Sequence, residues 1–559
     1  MYRPIIYLAL SSILAITAIA QSDERANLNG QADKLFAMWD RPDSPGCALA
    51  VIRDGQIVYK RGYGAADLDH DIPIAPTSVF HVASLSKQFT AMAIHLLAEQ
   101  GKLSLDDDAR KYIPELRGIS AKITIQHLLH HTSGLRDQWN LLIMSGWRLS
   151  EDVVKEQDVL DLVARMKELN FQPGDQHLYC NTGYTLLAVI VKRVSGQSLR
   201  EFTEANIFKP LGMTRTFFRD DHTLTVKGQA YAYVNGPHNT FKLSVPNYDI
   251  VGASSLLTTV EDLARWDQNF YDYRVGGQRL IDRMQVTTKL TSGEPIDYAS
   301  GLVIGRYKGL KVVEHSGGDA GYRSHLMRFP DEHFSVVCLC NLGSTAPGQL
   351  ARRVSDIYLG NRLTAEALTT TTNAPAVSIT TEQLTAKAGP YWNEVTEEFG
   401  RAWVQNEKLY VAIPGYSNSL TPISASRFAM SGQSGEVEFE PLAHGKPQRF
   451  KVTIGGRSPA VFEAVPPADT STDRRSEFVG NYYSDEIDAT YRIELRDAGL
   501  VLLRRKFDPT PLLPVFRDGF SSLSILGTAR FTRDAGGRVT EMVLSAGRVR
   551  RFRLARQMQ

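Results

Sequence analysis

Cysteine is scarce in this sequence, which has only four cysteines among its 559 residues. So few cysteines, without zinc-ligand spacing, exclude a disulfide scaffold and a structural zinc site built from thiolates. Cys47, Cys338 and Cys340 lie in strand-like apolar runs, where a free thiol behaves as a small hydrophobic side chain. Cys338 and Cys340 would share one face of a strand, and a disulfide from Cys47 to either of them is open in an oxidising compartment.

Metal ligands of other kinds are sparse as well. His127, His130 and His131 could suggest a metal site on a helix, but no distant acidic or cysteine ligand accompanies them. We therefore expect neither a metal nor a cofactor.

The sequence also lacks a charge excess and, after its first residues, any long hydrophobic run. The formal net charge is +2, so nothing suggests nucleic acid or an acidic surface as a partner. No later segment reaches the roughly eighteen consecutive apolar residues of a transmembrane helix. We therefore expect no membrane span after signal cleavage.

The first residues have the three parts of a secretory signal peptide. Met-Tyr-Arg supplies the charged start, the apolar run Ile5–Ala18 follows, and Ala18-Ile-Ala20 is a small-residue cleavage site. Cleavage after Ala20, at the end of a signal peptide over 1–20, would make Gln21 the first mature residue of a secreted or periplasmic protein. An uncleaved N-terminal anchor is the alternative.

The segment 21–366 mixes strand and helix patterns. Residues 47–60 predict a strand, an Asp-Gly turn and a second strand. Strands at both ends with helices between them predict an α+β layer fold, whose sheet joins the first and last segments. The remaining patterns predict helices over 86–100, 158–169 and 184–195, and strands over 302–307, 310–315, 324–329 and 335–340.

A linker and an internal repeat make up the rest of the chain. Residues 367–381 are small, polar and proline-containing, which is typical of a linker. Beyond it, Ala388-Gly-Pro-Tyr391 corresponds to Val479-Gly-Asn-Tyr482, and further short motifs follow in the same order in both copies. The repeat predicts two small antiparallel, lipocalin-like β-barrels, over 382–470 and 476–559. A single larger barrel made from both halves is the competing arrangement.

The most informative segment is Phe-His-Val-Ala-Ser-Leu-Ser-Lys, at 80–87. Ser84 stands three residues before Lys87, just where an apolar periodicity predicts the start of a buried helix. A serine hydroxyl needs a base to act as a nucleophile, and a desolvated lysine can lose its charge and serve as that base. The helix N-terminus would favour the oxyanion formed on acylation. On these residues alone, a capping serine followed by a solvated lysine explains the pair equally well.

Two further segments fit a catalytic role for Ser84. Tyr179 and Asn181 alternate with Cys180 in an extended segment, so both side chains can point the same way. Later, Glu314-His-Ser-Gly-Gly318 joins a strand to a glycine-rich turn, whose glycines would let a substrate's backbone approach closely.

With these motifs in this order, the chain resembles the serine β-lactamase and penicillin-recognising hydrolase superfamily. Ser-x-x-Lys at 84–87, Tyr-x-Asn at 179–181 and His-Ser-Gly at 315–317 match its class C and D,D-carboxypeptidase or D-aminopeptidase-like branch. The histidine is a departure from true class C β-lactamases, in which lysine is usual, and it resembles the peptidase-like members. The turn His131-Thr-Ser-Gly-Leu135 agrees with the family pattern, and the resemblance covers roughly residues 45–345.

The resemblance implies a fold and a catalytic role for four residues. The fold would be a β-lactamase/transpeptidase-like domain, an antiparallel sheet with helices on both faces. Ser84 would be the acylated nucleophile, and Lys87 and Tyr179 would share proton transfer, with the resting base left open. His315 would orient the Tyr179 hydroxyl or contact a substrate carboxylate.

Substrate-binding roles also follow from the resemblance. Asn181 would bind the amide carbonyl of the substrate, and Gly317 and Gly318 would line the substrate site. The backbone N–H groups of Ser84 and Gly318 would form the oxyanion hole.

These roles imply a secreted serine hydrolase that acts through an acyl-enzyme on a peptide-like amide or ester, with D-amino-acid peptides favoured. The histidine at 315 supports that preference, as do the two barrels, which resemble those appended to D-aminopeptidase-type members. A β-lactamase or a carboxylesterase is the alternative within the family. From another class, the chain would be a non-turnover penicillin-binding sensor or scaffold. The expected partner is a small peptide, ester or lactam, and the oligomeric state stays open.

Overall fold

The computed structural model describes residues 23, 25–364, 379–431, 435–441, 447–454, 459–469, 471–497, 499–522 and 526–558. The expected signal peptide over 1–20 lies outside these residues, as does most of the expected linker over 367–381. Within the described part of the chain, no helix combines the length and the apolar character that a membrane crossing requires.

The chain divides into two compact units. The N-terminal unit comprises Met1–Leu135, Leu149–Ala164 and Phe171–Glu366. The barrel unit comprises Arg136–Arg148, Arg165–Asn170 and Ala367–Gln559, so two short segments from the first half of the sequence belong with the C-terminal strands.

Helices and strands alternate through the N-terminal unit, and one short helix precedes each of the two barrels. In chain order, the helices are α1 (25–36), α2 (Ser86–Glu99), α3 (Ile125–Leu129), α4 (Gln138–Met144), α5 (Glu156–Arg165), α6 (Asn181–Ser195), α7 (Leu199–Thr203), α8 (Lys209–Leu211), α9 (Val260–Asp272), α10 (Gly277–Met284), α11 (Pro347–Leu359), α12 (Thr381–Thr385) and α13 (Thr472–Ser476). The strands of the N-terminal unit are β1 (Cys47–Arg53), β2 (Gln56–Tyr63), β3 (Ala65–Asp67), β4 (Ile72–Pro73), β5 (Phe80–His81), β6 (Phe217–Phe218), β7 (Tyr233–Asn235), β8 (Phe241–Leu243), β9 (Leu256–Thr258), β10 (Val303–Tyr307), β11 (Leu310–Asp319), β12 (Tyr322–Phe329) and β13 (Phe334–Cys340).

A six-stranded sheet organises the N-terminal unit. Its strands lie in the order β10, β11, β12, β13, β1, β2, and each neighbouring pair is antiparallel. The hairpin between β1 and β2 turns at Asp54-Gly55, whose φ angles of 50° and 73° suit an Asp-Gly turn. Because β13 pairs with β1, the predicted α+β fold, with a sheet that joins the first and last segments, is confirmed.

Helices cover both faces of this sheet. On one face, α1 and α11 pack against the strands, where Phe36 and Val354 share a buried apolar cluster with Leu49 and Val336. On the other face lies α9. Since the central strand β1 is covered on both sides, nearly all of its side chains are buried, as its continuous apolar sequence requires.

A buried ion pair fastens α9 to the sheet. Arg328 of β12 donates from Nε to Asp267 of α9 at 2.6 Å, and both side chains are only 2% exposed. Ser335 of β13 donates to the same carboxylate oxygen at 2.9 Å, and the Arg328 guanidinium lies 3.7 Å from the centre of the Phe270 ring. The Asp267 carboxylate therefore links α9 to both β12 and β13.

A disulfide joins β1 to β13. It links Cys47 to Cys340, which stand directly opposite each other in the antiparallel register. Cys338 is fully buried, and its Sγ lies 3.6 Å from that of Cys340. The strand register therefore selects Cys340, the choice that the sequence pattern left open.

Two helices differ from the bounds that the sequence predicts. α5 ends at Arg165, although its periodicity predicts helix as far as Leu169. Here tertiary contacts override local pattern, because the backbone N–H of Lys167 donates to the Glu486 carboxylate at 3.0 Å. α6 begins at Asn181, three residues before the predicted start.

The barrel unit contains two separate closed barrels, so the alternative of one larger barrel is wrong. Each barrel has eight antiparallel strands that pair in sequence order and close by pairing the last strand with the first. The first barrel consists of β14 (Gly389–Asn393), β15 (Glu398–Gln405), β16 (Lys408–Ile413), β17 (Tyr416–Pro422), β18 (Arg427–Met430), β19 (Gly435–Phe439), β20 (Arg449–Ile454) and β21 (Ala460–Ala464). The second consists of β22 (Gly480–Ser484), β23 (Ala489–Arg496), β24 (Gly499–Leu503), β25 (Thr510–Phe516), β26 (Gly519–Ser521), β27 (Thr528–Arg533), β28 (Val539–Ala546) and β29 (Val549–Arg556).

The sequence repeat corresponds to a structural repeat. Tyr391 in the first strand of one barrel and Tyr482 in the first strand of the other are both buried. Each tyrosine hydroxyl donates to the carbonyl four residues earlier, that of Lys387 at 2.7 Å and that of Phe478 at 2.8 Å. A tyrosine therefore makes the same hydrogen bond in the first strand of each barrel.

The segment 136–148 is held within the barrel unit by the second barrel. Arg136 is 1% exposed, donates to the Glu486 carboxylate at 2.9 Å, and lies 5.0 Å from the centre of the Phe552 ring. The Tyr491 hydroxyl donates to the carbonyl of Met144 at 2.8 Å. These contacts explain why the segment groups with strands that lie more than three hundred residues later.

We predict that Asp267→Ala destabilises the N-terminal unit by about 3–5 kcal/mol, because it leaves the Arg328 guanidinium buried without its counter-charge. Urea unfolding followed by fluorescence measures the loss, since Trp266 is fully buried in the same helix. The matched control is Glu261→Ala, which breaks the exposed α9 ion pair to Lys60 and should cost about 1 kcal/mol or less. If both variants lost the same free energy of unfolding, the buried ion pair would contribute no more to stability than the exposed one.

Candidate active site

Ser84 lies in a short 3-10 turn, Ala83–Leu85, between β5 and α2. Ala83 has a φ of +49°, a left-handed conformation that costs a non-glycine residue roughly 1–2 kcal/mol. Ala83 and Leu85 are buried, whereas Ser84 between them is partly exposed. The cap residue of α2 is Leu85, so the interpretation of Ser84 as a helix cap does not apply.

Lys87, the second residue of α2, is fully buried, so it is not a solvated lysine. Its Nζ lies 3.1 Å from Ser84 Oγ, 3.0 Å from Asn181 Oδ1 and 2.7 Å from the carbonyl oxygen of Ala253. The same atom lies 4.7 Å from the centre of the Tyr179 ring. Four predicted site residues, Ser84, Lys87, Tyr179 and Asn181, therefore meet around one nitrogen.

The partners of Lys87 suit a proton acceptor. Asn181 Oδ1 and the Ala253 carbonyl can only accept hydrogen bonds, so they take two N–H groups of Lys87 in either protonation state. Nζ also lies 3.1 Å from Ser84 Oγ, a distance at which a proton can pass directly between the two atoms.

The turn at His131 positions Tyr179 and Asn181. His131 has a φ of +57°, and its Nδ1 accepts the backbone N–H of Cys180 at 3.1 Å. Its carbonyl accepts the N–H of Leu178 at 3.0 Å, and its ring centre lies 4.1 Å from that of Tyr179. The residues on both sides of Tyr179 are therefore bonded to one histidine.

His315 is buried at 5% exposure in β11, and both of its ring nitrogens have partners. Nδ1 lies 2.6 Å from the carbonyl oxygen of Ser316, which can only accept, so this nitrogen carries the proton. Burial, together with the charge of Lys87, lowers the pKa of His315 to about 3, so the ring is neutral near pH 7. Nε2 then accepts a hydrogen bond from the Tyr298 hydroxyl at 2.9 Å.

The expected role of His315, to orient the Tyr179 hydroxyl or to contact a substrate carboxylate, stays a prediction. The ring centres of His315 and Tyr179 are 6.2 Å apart. The structure adds Tyr298 as a hydrogen-bond partner of His315. The sequence does not indicate Tyr298, because this residue belongs to none of the three motifs.

Gly317 lets β11 pack directly against the serine turn. A Cβ at this position would lie 2.2 Å from the carbonyl oxygen of Val82 and 3.1 Å from the backbone nitrogen of Ser84. At Gly318 a Cβ would meet only the Arg323 side chain, at 3.6 Å, which is an ordinary contact. The close approach therefore requires glycine at 317 rather than at 318.

The chain is similar to known proteins over much of its length. The Beta-lactamase family model matches residues 32–358. Penicillin-binding protein 4* of Bacillus subtilis (strain 168) is 32% identical over 416 residues, which cover 70% of this chain and 89% of that protein. D-aminopeptidase of Gluconobacter oxydans (strain 621H) is 29% identical over 303 residues, 54% of this chain and 57% of that protein, so the match spans little more than half of that relative.

A solved structure shares the fold. The octameric penicillin-binding protein homologue from Pyrococcus abyssi matches with a TM-score of 0.53 at 24% sequence identity. The match covers 83% of this chain and 95% of that chain.

We predict that Gly317→Ala lowers the free energy of unfolding by about 1–3 kcal/mol, because the added methyl group overlaps the Val82 carbonyl. Relief of the overlap must displace the turn, so reaction of Ser84 with a fluorophosphonate should slow by at least about tenfold. Mass spectrometry of the labelled protein over time measures that rate.

The matched control is Gly318→Ala, which adds the same methyl group one residue later. It should leave the free energy of unfolding close to that of the unmodified protein, because the added methyl group makes only an ordinary contact with Arg323. If Gly318→Ala were as destabilising as Gly317→Ala, the close approach at 317 would not be what holds β11 against the serine turn.

Proposed function

We propose, from the premise that this chain belongs to the β-lactamase family, that it is a hydrolase working through an acyl-enzyme on Ser84. One observation carries the proposal: the Nζ of a fully buried lysine lies 3.1 Å from Ser84 Oγ. A serine beside a desolvated amine is an activated nucleophile.

In the proposed first step, Lys87 is the base. It removes the hydroxyl proton of Ser84 as Oγ attacks the carbonyl carbon of the substrate. Collapse of the tetrahedral intermediate breaks the bond to the amine or alcohol, which leaves with a proton returned through Lys87 or Tyr179. In the second step, water gives a proton to Lys87 or Tyr179 as its oxygen attacks the ester carbon. The bond between that carbon and Ser84 Oγ then breaks, the acid product leaves, and the proton returns to Oγ.

We propose amides or esters of D-amino acids as the substrates. The similarity to D-aminopeptidase of Gluconobacter oxydans supports this choice, although it covers 54% of the chain. A neutral His315 at the start of the third motif also supports it. Hydrolysis of a β-lactam or of a simple ester is the competing activity at the same serine.

A second candidate is stoichiometric acylation by penicillin without turnover. The 32% identity to penicillin-binding protein 4* favours it. A fluorescent penicillin distinguishes the candidates, because a sensor would be labelled rapidly and hold the label, whereas a hydrolase would release it.

We predict that Ser84→Ala abolishes both turnover and fluorophosphonate labelling. Lys87→Met should retain the hydroxyl but slow acylation by about 10²–10⁴-fold, because the base is lost. The measurement is hydrolysis of D- and L-aminoacyl amides, short esters and nitrocefin by each variant.

Ser292→Ala, at an exposed serine, is the matched control and should behave as the unmodified protein does. Labelling that persists at another serine in the Ser84→Ala variant would overturn the assignment of the nucleophile. Preference for nitrocefin over every amide and ester would replace the proposed substrate class with β-lactams.

We also propose that the protein is exported and loses residues 1–20. The sequence of this segment supports export, and so does the disulfide between Cys47 and Cys340, since disulfides persist in oxidising compartments. The mature protein should begin at Gln21, which intact-mass measurement of the protein from the extracytoplasmic fraction checks. A full-length mass would favour an uncleaved anchor instead.

A further inference from the structure

A second polar cluster lies in the N-terminal unit, formed by His81, Tyr248, Ser254 and Asp319. We call it the Asp319 cluster. The hydroxyls of Tyr248 and Ser254 both donate to Asp319 Oδ2, Ser254 at 3.2 Å. The Tyr248 hydroxyl oxygen also lies 3.0 Å from Ser254 Oγ, and His81 Nε2 lies 3.8 Å from Asp319 Oδ2. None of the three sequence motifs assigns a function to these side chains.

The Asp319 cluster adjoins the candidate active site through the backbone. His81 Nδ1 accepts the N–H of Ala83, the residue before Ser84, at 3.3 Å. Ser254 directly follows Ala253, whose carbonyl accepts from Lys87, and Asp319 directly follows Gly318 in β11. The carboxylate therefore stands one residue beyond a position expected to supply the oxyanion hole.

Asp319 is held by hydroxyl groups and not by an ion pair with a lysine or an arginine. Its Oδ2 accepts from the Tyr248 and Ser254 hydroxyls. Burial lowers the pKa of His81 to about 4, so this histidine is neutral near pH 7. Arg219 contributes to that lowering, but its guanidinium donates to the Pro246 carbonyl at 3.4 Å. Among the described residues, no lysine or arginine lies within ion-pair distance of Asp319.

Exposure differs sharply within the Asp319 cluster. His81, Tyr248 and Ser254 are all buried, whereas the Asp319 side chain is 26% exposed. The hydrogen bonds from within the described chain use Oδ2, which leaves Oδ1 as the oxygen for an outside donor. A fixed, partly exposed carboxylate that forms no ion pair with a lysine or an arginine of the described chain is suited to bind a cation.

We propose that Asp319 binds the free α-ammonium group of the substrate, which makes the site selective for amino acid derivatives with an unmodified amino terminus. This inference rests on the proposed hydrolase function. In an aminoacyl amide or ester, one carbon atom separates the ammonium nitrogen from the scissile carbonyl carbon. Successive strand residues are about 3.3 Å apart, so a carbonyl oxygen bound near Gly318 brings the ammonium close to the next residue.

The test is Asp319→Asn, which keeps an oxygen for Tyr248 and Ser254 but removes the charge. Paired substrates are D-phenylalanine amide and its N-acetyl derivative, and the corresponding pair of methyl esters. For the free amines, kcat/KM should fall by about 10- to 100-fold, the usual weight of a charged hydrogen bond. For the N-acetyl partners it should change less than about twofold, as should the rate of fluorophosphonate labelling.

Tyr248→Phe is the matched control, because it removes a hydroxyl from the Asp319 cluster and leaves the carboxylate. It should keep the preference for free amines. An equal loss on free and acetylated substrates in Asp319→Asn would overturn the proposal and leave Asp319 as a positioning residue, and an unchanged preference would overturn it as well.

Failure of the proposed function has a different signature. If the unmodified protein hydrolyses none of the four compounds, the hydrolase assignment fails, and ligand protection tests Asp319 separately. D-phenylalanine amide should then slow the labelling of Ser84 in the unmodified protein but not in Asp319→Asn, while the N-acetyl compound slows neither. Equal protection in the two proteins, or none, would overturn the ammonium site.

Discussion

The buried amino group of Lys87 is the constraint on which the rest of the site depends. A charged or strongly polar nitrogen without partners in the interior costs several kcal/mol, so folding must bring acceptors to it. They come from three separate places: Ser84 in the turn before α2, Asn181 at the start of α6, and the carbonyl of Ala253. Because one buried side chain needs hydrogen-bond partners, the fold brings these candidate catalytic groups together.

The backbone around this nitrogen is held in costly conformations. Ala83 and His131 both have positive φ angles, which cost roughly 1–2 kcal/mol each for a non-glycine residue. The surrounding packing sustains them, because β11 contacts the serine turn at Gly317 and the His131 ring lies against Tyr179. The two turns therefore keep their conformations through packing against β11 and against Tyr179.

The sequence predicts the fold better than it predicts the finer contacts of the site. Periodicity and motif order predict the sheet, the two barrels and the group of residues around Lys87, because those features depend on local pattern or on short motifs. Tyr298 and Asp319 depend on pairing between segments far apart in the chain, and no local pattern marks them. The end of α5 at Arg165 has the same cause, since a contact with Glu486 overrides the helical periodicity.

The charges around Ser84 give the departure at His315 a physical meaning. A lysine at that position would offer an ammonium to a substrate carboxylate. His315 is neutral, and its two ring nitrogens are hydrogen-bonded to Ser316 and Tyr298. Four residues later in the same strand, Asp319 offers a carboxylate. With a neutral His315 in place of a charged lysine, and with the Asp319 carboxylate in the same strand, the site is suited to a positively charged substrate group and not to a negatively charged one. Because β11 carries both residues, a single strand would determine whether the substrate is recognised by an acid or by an amine, and here its chemistry favours the amine.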